Sequence, residues 1–300
     1  MNTPRLGVTG LDHVALSVPD LRAALDFYVE HWGLVEVAED RGRHHLATGQ
    51  ARFAALVLSA GPVLALDHLA FGVASAEALD GLASRLTEAG HPCARVEPGA
   101  LEPGQTHVVR TQDPDGNTVE LVVGPAATVE RPAVDRVTPL KLGHVVLGTP
   151  DQRAAEMFYA LLGFRTTDRT APGMWFLRCN ADHHTLALVP AQRPWLQHMA
   201  YDVGTVDEVM RGMGALRAAG SAPIWGPGRH GPGNNVFTYY EDPAGMIIEY
   251  YGELEQFSEL DLDAEIPVKD WGPEHKGDRW GIAGRPPASF TSAPTAAGER

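Results

Sequence analysis

Cysteine and positive charge are both scarce in this sequence, and each shortage excludes classes of protein. Only two of the 300 residues are cysteines, Cys93 and Cys179. They exclude a disulfide framework and a cysteine-rich metal site, and they fit the reducing cytoplasm. Lys and Arg number 24 against 38 Asp and Glu, so the formal net charge is −14. A field of that sign disfavours nucleic acids and anionic membrane surfaces as partners.

Long apolar runs are missing as well. No stretch approaches the roughly 18–20 apolar residues that a transmembrane helix needs. The N-terminal residues lack the apolar segment and cleavage site of a signal peptide. With 44% hydrophobic and 21% charged residues, the composition is that of a globular protein. We therefore expect a cytoplasmic protein of about two domains.

An internal duplication dominates what the sequence does contain. The segment LDHVALSVPDLRAALDFY at 11–28 corresponds to LGHVVLGTPDQRAAEMFY at 142–159. Farther on, DHLAFGV at 67–73 corresponds to QHMAYDV at 197–203, and DPDGNTVEL at 113–121 corresponds to DPAGMIIEY at 242–250. The offsets are 131, 130 and 129 residues. Three matches at nearly one offset indicate two halves of common origin, joined near residues 125–138.

Each half contains two similar units. Four segments, starting near residues 11, 67, 142 and 197, each combine a short alternating strand, a turn and an amphipathic helix that ends at a glycine. Runs rich in β-forming residues follow each helix, and DPDG and DPAG predict tight turns. The pattern predicts an α+β fold of four βαβββ modules, paired into domains at 1–135 and 136–252. A C-terminal extension follows at 253–300, flexible after about residue 282.

Candidate metal ligands occupy equivalent positions in the second half. His144 and His198 lie on the first strands of the two modules, and Glu249 lies on a last strand after the DPAG turn. Equivalent strands of paired modules can bring these side chains together. Two imidazoles and one carboxylate leave adjacent coordination positions open, as in non-haem Fe(II) oxygenases. The sequence therefore predicts an oxygenase-type metal site in the second half.

With these motifs the sequence resembles the type I extradiol ring-cleavage dioxygenases of the vicinal oxygen chelate superfamily, especially the homoprotocatechuate and catechol 2,3-dioxygenase group. The resemblance covers about residues 8–281 and is strongest in LGHVVL, QHMAY, GPGRHG and TYYEDPAGMIIEYY. It implies that His144, His198 and Glu249 hold Fe(II), with Mn(II) as the alternative. It also implies a catechol and O2 as substrates, a hydroxymuconic semialdehyde as product, and a homo-oligomeric enzyme.

The same resemblance implies the catalytic residues His184, His230 and Tyr239. His184 would be the general acid and base on a strand, with neighbouring His183 as the alternative, because strand alternation sends only one of the two inward. His230, in GPGRHG, and Tyr239 would hydrogen-bond the substrate oxygens.

Substrate-binding positions depart from the homoprotocatechuate enzymes. Val146, Phe176 and Trp225 stand where those enzymes have Asn, Trp and Arg, and Gly277 stands where they have another Arg. An unpaired buried carboxylate is costly, so we expect a neutral catechol as substrate. Other functions found in the superfamily remain open: a glyoxalase-like lyase, a 4-hydroxyphenylpyruvate dioxygenase-like enzyme, or an antibiotic-sequestering protein.

The N-terminal half repeats the ligand pattern without the rest of the site. His13, His68 and Glu120 stand where the second half has its metal triad. However, Ala54 and Arg110 replace the catalytic His and Tyr, and the loop matching GPGRHG has no histidine. Lacking proton donors, this half is expected to be a scaffold without catalysis. A vestigial metal site there remains an alternative.

Overall fold

The computed structural model describes residues 6–50, 53–124, 136–171, 173–258 and 266–290. The predicted junction near 125–138 falls mostly outside the described residues, as does the predicted end of the first domain at residue 135. Within the described ranges, no helix is long and apolar enough to cross a membrane.

The N-terminal half forms one eight-stranded sheet. Its elements are β1 (Gly10–Val18), α1 (Leu21–Asp26), β2 (Val35–Asp40), β3 (Arg43–Ala47), β4 (Leu56–Ala60), β5 (Ala65–Gly72), α2 (Ala76–Glu88), β6 (Ala94–Arg95), β7 (His107–Gln112) and β8 (Thr118–Val123). A π-helical turn, Phe27–His31, continues α1, and a 3₁₀ turn, Pro98–Ala100, follows β6. The strand order is β2-β3-β4-β1-β5-β8-β7-β6.

The C-terminal half repeats this arrangement with one added strand. Its elements are β9 (Lys141–Thr149), α3 (Gln152–Leu161), β10 (Arg165–Thr170), β11 (Trp175–Arg178), β12 (Leu186–Pro190), β13 (Trp195–Gly204), α4 (Val206–Ala218), β14 (Trp225–Arg229), β15 (Val236–Glu241), β16 (Ile247–Gly252) and β17 (Lys269–Trp271). A 3₁₀ turn lies at Ala288–Phe290. The strand order is β14-β15-β16-β13-β9-β12-β11-β10-β17.

The pairing of strands confirms the four predicted modules. In each module the first strand pairs in parallel with the last: β1 with β4, β5 with β8, β9 with β12, and β13 with β16. The two modules of each half join through their antiparallel first strands, β1 with β5 and β9 with β13. Two sheets of this kind make the predicted α+β architecture.

The helices begin and end where their local sequence dictates. Each has an N-cap side chain that accepts a hydrogen bond from the backbone N–H three residues later; the caps are Asp20, Ser75, Asp151 and Thr205. A glycine in the left-handed region, with φ between 83° and 93°, follows each of the four helical segments: Gly33, Gly90, Gly163 and Gly220.

The two halves pack on each other through pairs of equivalent contacts. Tyr28, after α1, donates its hydroxyl to Asp242 Oδ2 in the DPAG turn at 2.9 Å. Tyr159, in α3, donates its hydroxyl to Asp113 Oδ2 in the DPDG turn at 3.0 Å. Trp32 stacks on Tyr250 with ring centroids 3.7 Å apart. The core therefore runs from one half into the other.

The C-terminal extension is held against the second sheet. β17 pairs with β10, and the Phe290 carbonyl accepts a hydrogen bond from Gln197 Nε2 at 2.7 Å. Ala283 and Phe290 pack against the apolar cluster around Trp225. The sequence predicts flexibility from about residue 282, whereas Ala283 and Phe290 have these apolar contacts. Residues 291–300 lie outside the described part of the chain.

Candidate active site

Three neighbouring strands at the centre of the second sheet bring the predicted metal ligands together. His144 lies on β9, His198 on β13 and Glu249 on β16. The register places Ala200 of β13 opposite both His144 and Glu249. All three ligand side chains are buried, and one donor atom from each lies within 4.8 Å of the others.

The donor atoms of this cluster fit a metal ion. Glu249 Oε2 lies 3.2 Å from His144 Nε2 and 3.5 Å from His198 Nε2. Both Glu249 Oε2 and His198 Nε2 are buried without a hydrogen-bond partner among the described residues. A buried polar atom without a partner is costly, and coordination to a cation would supply the partner. The cluster can therefore hold the divalent metal that the sequence predicts.

Burial and charge set the protonation of these ligands. Burial tends to raise the pKa of Glu249, but the nearby imidazoles of His144 and His198 outweigh it and lower the pKa to about 2. Burial also lowers the pKa of His198 below its usual value. A carboxylate and a neutral imidazole are the forms that bind metals.

Neighbouring amides orient two of the ligands. Gln197 Oε1 lies 2.9 Å from His198 Nδ1, so His198 carries its proton on Nδ1 and presents Nε2 to the cluster. Asn235 Nδ2 donates to Glu249 Oε1 at 3.3 Å, which leaves Oε2 facing the histidines. Orientation of this kind by outer hydrogen bonds is typical of metal sites.

His183 and His184 are both buried, contrary to the expectation that only one would face inward. They precede β12 in an irregular segment where Asp182 bridges to Gln256, so strand alternation does not apply. His184 lies on the metal side, with its ring centroid 4.3 Å from that of His144. The prediction that His184 lies on a strand is therefore wrong, and its ring lies beside that of the metal ligand His144.

A chain of contacts fixes the tautomer of His184. His183 Nε2 lies 3.2 Å from the Asp168 carboxylate and therefore carries a proton, which leaves Nδ1 as an acceptor. His184 Nδ1 lies 3.0 Å from that acceptor and donates to it. Burial, followed by the nearby His144 and His183, lowers the pKa of His184 well below its usual value. His184 Nε2 is thus left as an unprotonated acceptor.

His230 and Tyr239 lie on the other side of the cluster. His230 Nδ1 donates to the Gly277 carbonyl at 2.8 Å, so its Nε2 accepts from the Tyr239 hydroxyl at 3.0 Å. Burial lowers the pKa of His230 to about 4. Burial and the charge of Glu249 raise the pKa of Tyr239 well above its usual value. The pair is therefore a neutral imidazole and a protonated phenol.

The predicted substrate-binding residues provide apolar surface on both sides. Val146 and Phe176 pack in one buried cluster, and the Phe176 ring lies 5.0 Å from His184. Trp225 stacks on Tyr239 with ring centroids 5.3 Å apart. A Cβ atom at Gly277 would lie 3.3 Å from the Trp225 ring, so the indole is packed closely against this glycine.

Three residues near the site were not predicted. Phe290, in the C-terminal extension, has its ring 4.9 Å from Tyr239 and 6.2 Å from His198. Asp168 and Asn235 hold site residues through the contacts described above. No sequence motif points to Phe290, because its position depends on how the extension crosses the sheet.

The N-terminal half also brings two histidines and a glutamate together, but the glutamate is Glu102. Glu120 lies at the predicted position, opposite Arg110 on the neighbouring strand, and Arg110 Nε donates to its Oε1 at 3.0 Å. Alignment of the two halves puts Glu102 in the loop that matches GPGRHG, which was noted only for its lack of histidine. Glu102 was therefore missed as a candidate ligand.

Both the sequence and the fold of this chain are similar to those of known proteins. The model of the Glyoxalase/Bleomycin resistance protein/Dioxygenase superfamily matches residues 10–121 and again residues 141–250. Metapyrocatechase 2 of Cupriavidus necator is 31% identical over 299 residues, covering 90% of this chain and 91% of its own length.

Two crystal structures extend the comparison. A Mn(II)-bound glyoxalase from Novosphingobium aromaticivorans is 33% identical, with a TM-score of 0.86 over 97% of this chain and 96% of its own. Homoprotocatechuate 2,3-dioxygenase from Brevibacterium fuscum, in complex with 3,4-dihydroxyphenylacetate, is 28% identical, with a TM-score of 0.83 over 96% of this chain and 92% of its own. These similarities confirm the resemblance found from the sequence.

Proposed function

This chain belongs to the glyoxalase/bleomycin resistance protein/dioxygenase superfamily, and we propose that it is an extradiol ring-cleaving dioxygenase, which opens a catechol beside its diol with O2. One observation carries the proposal: proton-handling side chains flank the buried cluster of two histidines and one glutamate on both sides. His184 lies on one side, and Tyr239 with His230 lies on the other. Ring cleavage needs such groups because catechol protons must leave and return.

Fe(II) is the proposed metal, held by His144, His198 and Glu249. When bound, it supplies stabilisation of the catecholate and adjacent positions for the diol and O2. Mn(II) is the alternative, and it is the metal bound by the Novosphingobium relative. Metal analysis of protein purified without oxygen, together with activity after reloading with each ion, distinguishes the two.

His184 is the proposed general base and, later in turnover, the general acid. Its Nε2 is unprotonated because Nδ1 donates to His183, so it can accept a proton from a catechol hydroxyl. The lowered pKa of His184 keeps this acceptor neutral at neutral pH. Once protonated, the same imidazole can return the proton to an oxygen of the opened ring.

Tyr239 is the proposed hydrogen-bond donor on the opposite side. Its raised pKa keeps the phenol protonated. In the substrate-free site its one proton is donated to His230 Nε2, so donation to a substrate oxygen requires the hydroxyl to rotate from His230 towards that oxygen, where it stabilises developing negative charge. His230 is in turn held by the backbone of the extension, through the Gly277 carbonyl.

The proposed substrate class is the neutral catechols with an alkyl or aryl substituent. Val146, Phe176 and Trp225 offer apolar surface. The guanidinium of Arg279 donates to Asn234 Oδ1 at 2.9 Å instead of standing free. A substrate carboxylate buried against this surface would lose hydration without gaining a partner.

Oxygen uptake with a panel of catechols tests the function and the substrate class together. We expect uptake with ring-opened product, and a higher kcat/KM for 3-alkyl- and 3-arylcatechols than for 3,4-dihydroxyphenylacetate. No uptake with any catechol by iron-loaded protein would contradict the enzyme class. A preference for the acid would contradict only the substrate class.

A glyoxalase-like lyase is the second candidate, because the Novosphingobium relative is described as a glyoxalase. Such a reaction isomerises its substrate without consuming O2. Turnover of a 2-oxoaldehyde–thiol adduct, with no oxygen uptake on catechols, would favour it. A homo-oligomeric, cytoplasmic enzyme remains a prediction from the family resemblance, and sedimentation measures the subunit number.

A further inference from the structure

A second cluster of potential metal ligands lies in the N-terminal domain, outside the proposed active site. His13 on β1 and His68 on β5 are almost completely buried, at 3% and 2% exposure. Glu102 reaches them from the loop before β7, and one donor atom of each residue lies within 4.8 Å of the others. Within the part of the chain that the structure describes, Glu102 Oε2 is buried without a hydrogen-bond partner, and it lies 3.8 Å from His13 Nε2.

The spacing of the two imidazoles suits a shared ion. His13 Nε2 and His68 Nε2 face each other at 2.9 Å. Imidazole nitrogens bind Zn(II) at about 2.0–2.1 Å in a tetrahedral arrangement, so two nitrogens around one ion are about 3.3–3.4 Å apart. The two histidines therefore need to separate by only about half an ångström to bind a metal between them.

Carboxylates behind both histidines aim them at this point. His13 Nδ1 lies 2.7 Å from Asp12 Oδ1, and His68 Nδ1 lies 3.4 Å from Asp67 Oδ2. A carboxylate on the outer nitrogen makes an imidazole a stronger ligand and fixes its tautomer. In the proposed active site, by contrast, the amide of Gln197 takes this position behind His198.

The local charge matches a divalent cation. Four carboxylates surround the two histidines: Asp12, Asp67, Glu102 and Glu120. Arg43 contacts the carboxylates of Asp67 and Glu102, and Arg110 contacts that of Glu120. With neutral imidazoles, two negative charges remain. Glu120 Oε2 lies 3.6 Å from His68 Nε2, so part of that charge faces the same point.

The space beside this cluster is too small for an aromatic substrate. A cavity of about 10 Å³ adjoins His13, which is room for about one water molecule. Phe53 packs beside His45 here, as His184 packs beside Phe176 in the other half. Gly104 lies so close to the Phe53 ring that a Cβ atom would overlap it. An ion and a water fit, whereas a catechol does not.

We propose that the N-terminal domain binds a structural divalent transition-metal ion through His13, His68 and Glu102. The ion links β1, β5 and the loop before β7, and it takes no part in ring cleavage. The proposal is independent of the proposed function, because its test measures metal binding.

Zinc titration of the metal-free, full-length protein tests the proposal, with calorimetry and bound-metal analysis as readouts. We expect two zinc ions per chain in the wild type. His198→Ala, which disables the active-site triad, should retain one, and His68→Ala should also retain one. The exposed His107→Ala is the matched control and should retain two. A single zinc in the wild type with none in His198→Ala, or two in His68→Ala, would overturn the proposal.

Milder variants keep the test decisive if His68→Ala does not fold. Asp12→Asn removes only an outer carboxylate and should weaken the N-terminal zinc site about 10- to 100-fold without changing the other site. Glu102→Gln should weaken it at least as much. In the His198→Ala background, zinc should raise the melting temperature, and Glu102→Gln should abolish that rise. An unchanged zinc affinity in both variants would refute the assignment.

Discussion

Tyr28→Phe removes one hydroxyl from the contact between the two halves. The hydroxyl is buried and is the donor to Asp242 Oδ2, while Asp242 Oδ1 accepts from the backbone of Ala244 and Met246. The change therefore leaves one oxygen of a buried carboxylate without its donor. A hydrogen bond to a charged group contributes about 1.5–3 kcal/mol, and we expect a loss of unfolding free energy in that range.

The equivalent contact in the other half provides a graded comparison. Asp113 Oδ2 accepts from Tyr159, but it also accepts from Asn117 Nδ2 at 2.8 Å. Tyr159→Phe therefore leaves a donor in place and should cost less than Tyr28→Phe. Tyr201 is the matched control, because its buried hydroxyl has no hydrogen-bond partner among the described residues. Tyr201→Phe should leave stability unchanged or raise it.

Urea unfolding followed by far-ultraviolet circular dichroism measures all three variants, with equal slopes as the check that only stability changed. The expected order of loss is Tyr28→Phe, then Tyr159→Phe, then Tyr201→Phe. The reasoning is refuted if Tyr28→Phe loses no more than Tyr201→Phe, because the hydroxyl of Tyr28 would then contribute nothing to joining the halves.

Three further predictions concern the proposed active site. His144→Ala and Glu249→Ala should each lose the active-site metal and ring cleavage, and full activity with retained iron would contradict the ligand assignment. His184→Phe should keep iron and catechol binding but lower kcat by about 10²- to 10⁴-fold; if only His183→Phe does so, the two roles are reversed. Because the pKa of His230 is lowered to about 4, the unfolded chain takes up its proton first. The contribution of His230 alone to the stability of the metal-free protein should therefore fall by about 3 kcal/mol as the pH falls from 6.5 to 4, and urea unfolding of His230→Phe should show a correspondingly smaller loss than the wild type.

The modules were predictable because their signals are local and occur four times. An amphipathic helix and a terminal glycine lie within about 15 residues in each module, and the structure has them at the predicted places. Repetition also predicted the metal cluster, since equivalent strands carry His144 and His198. Sequence spacing was sufficient to predict this cluster because the sheet register follows from the fold.

The remaining parts of the site depend on contacts between distant segments. Alternation along a strand gave the wrong expectation for His183 and His184, because the segment before β12 is irregular and tied to Gln256. Glu102 approaches its histidines from a loop whose path the sequence does not specify. Phe290 reaches Tyr239 across 51 positions of the chain, and nothing in its surroundings marks it as a site residue.

The Gly277 carbonyl ties the C-terminal extension to the proposed active site. The duplication supplied both halves with paired histidines, yet the tautomer of His230 is set by a segment that lies outside the repeated unit. The second half therefore takes part of its site from outside its own repeated sequence. A shortened version or a C-terminal fusion that moves Gly277 is expected to change the tautomer of His230 and the hydrogen bond between His230 and Tyr239.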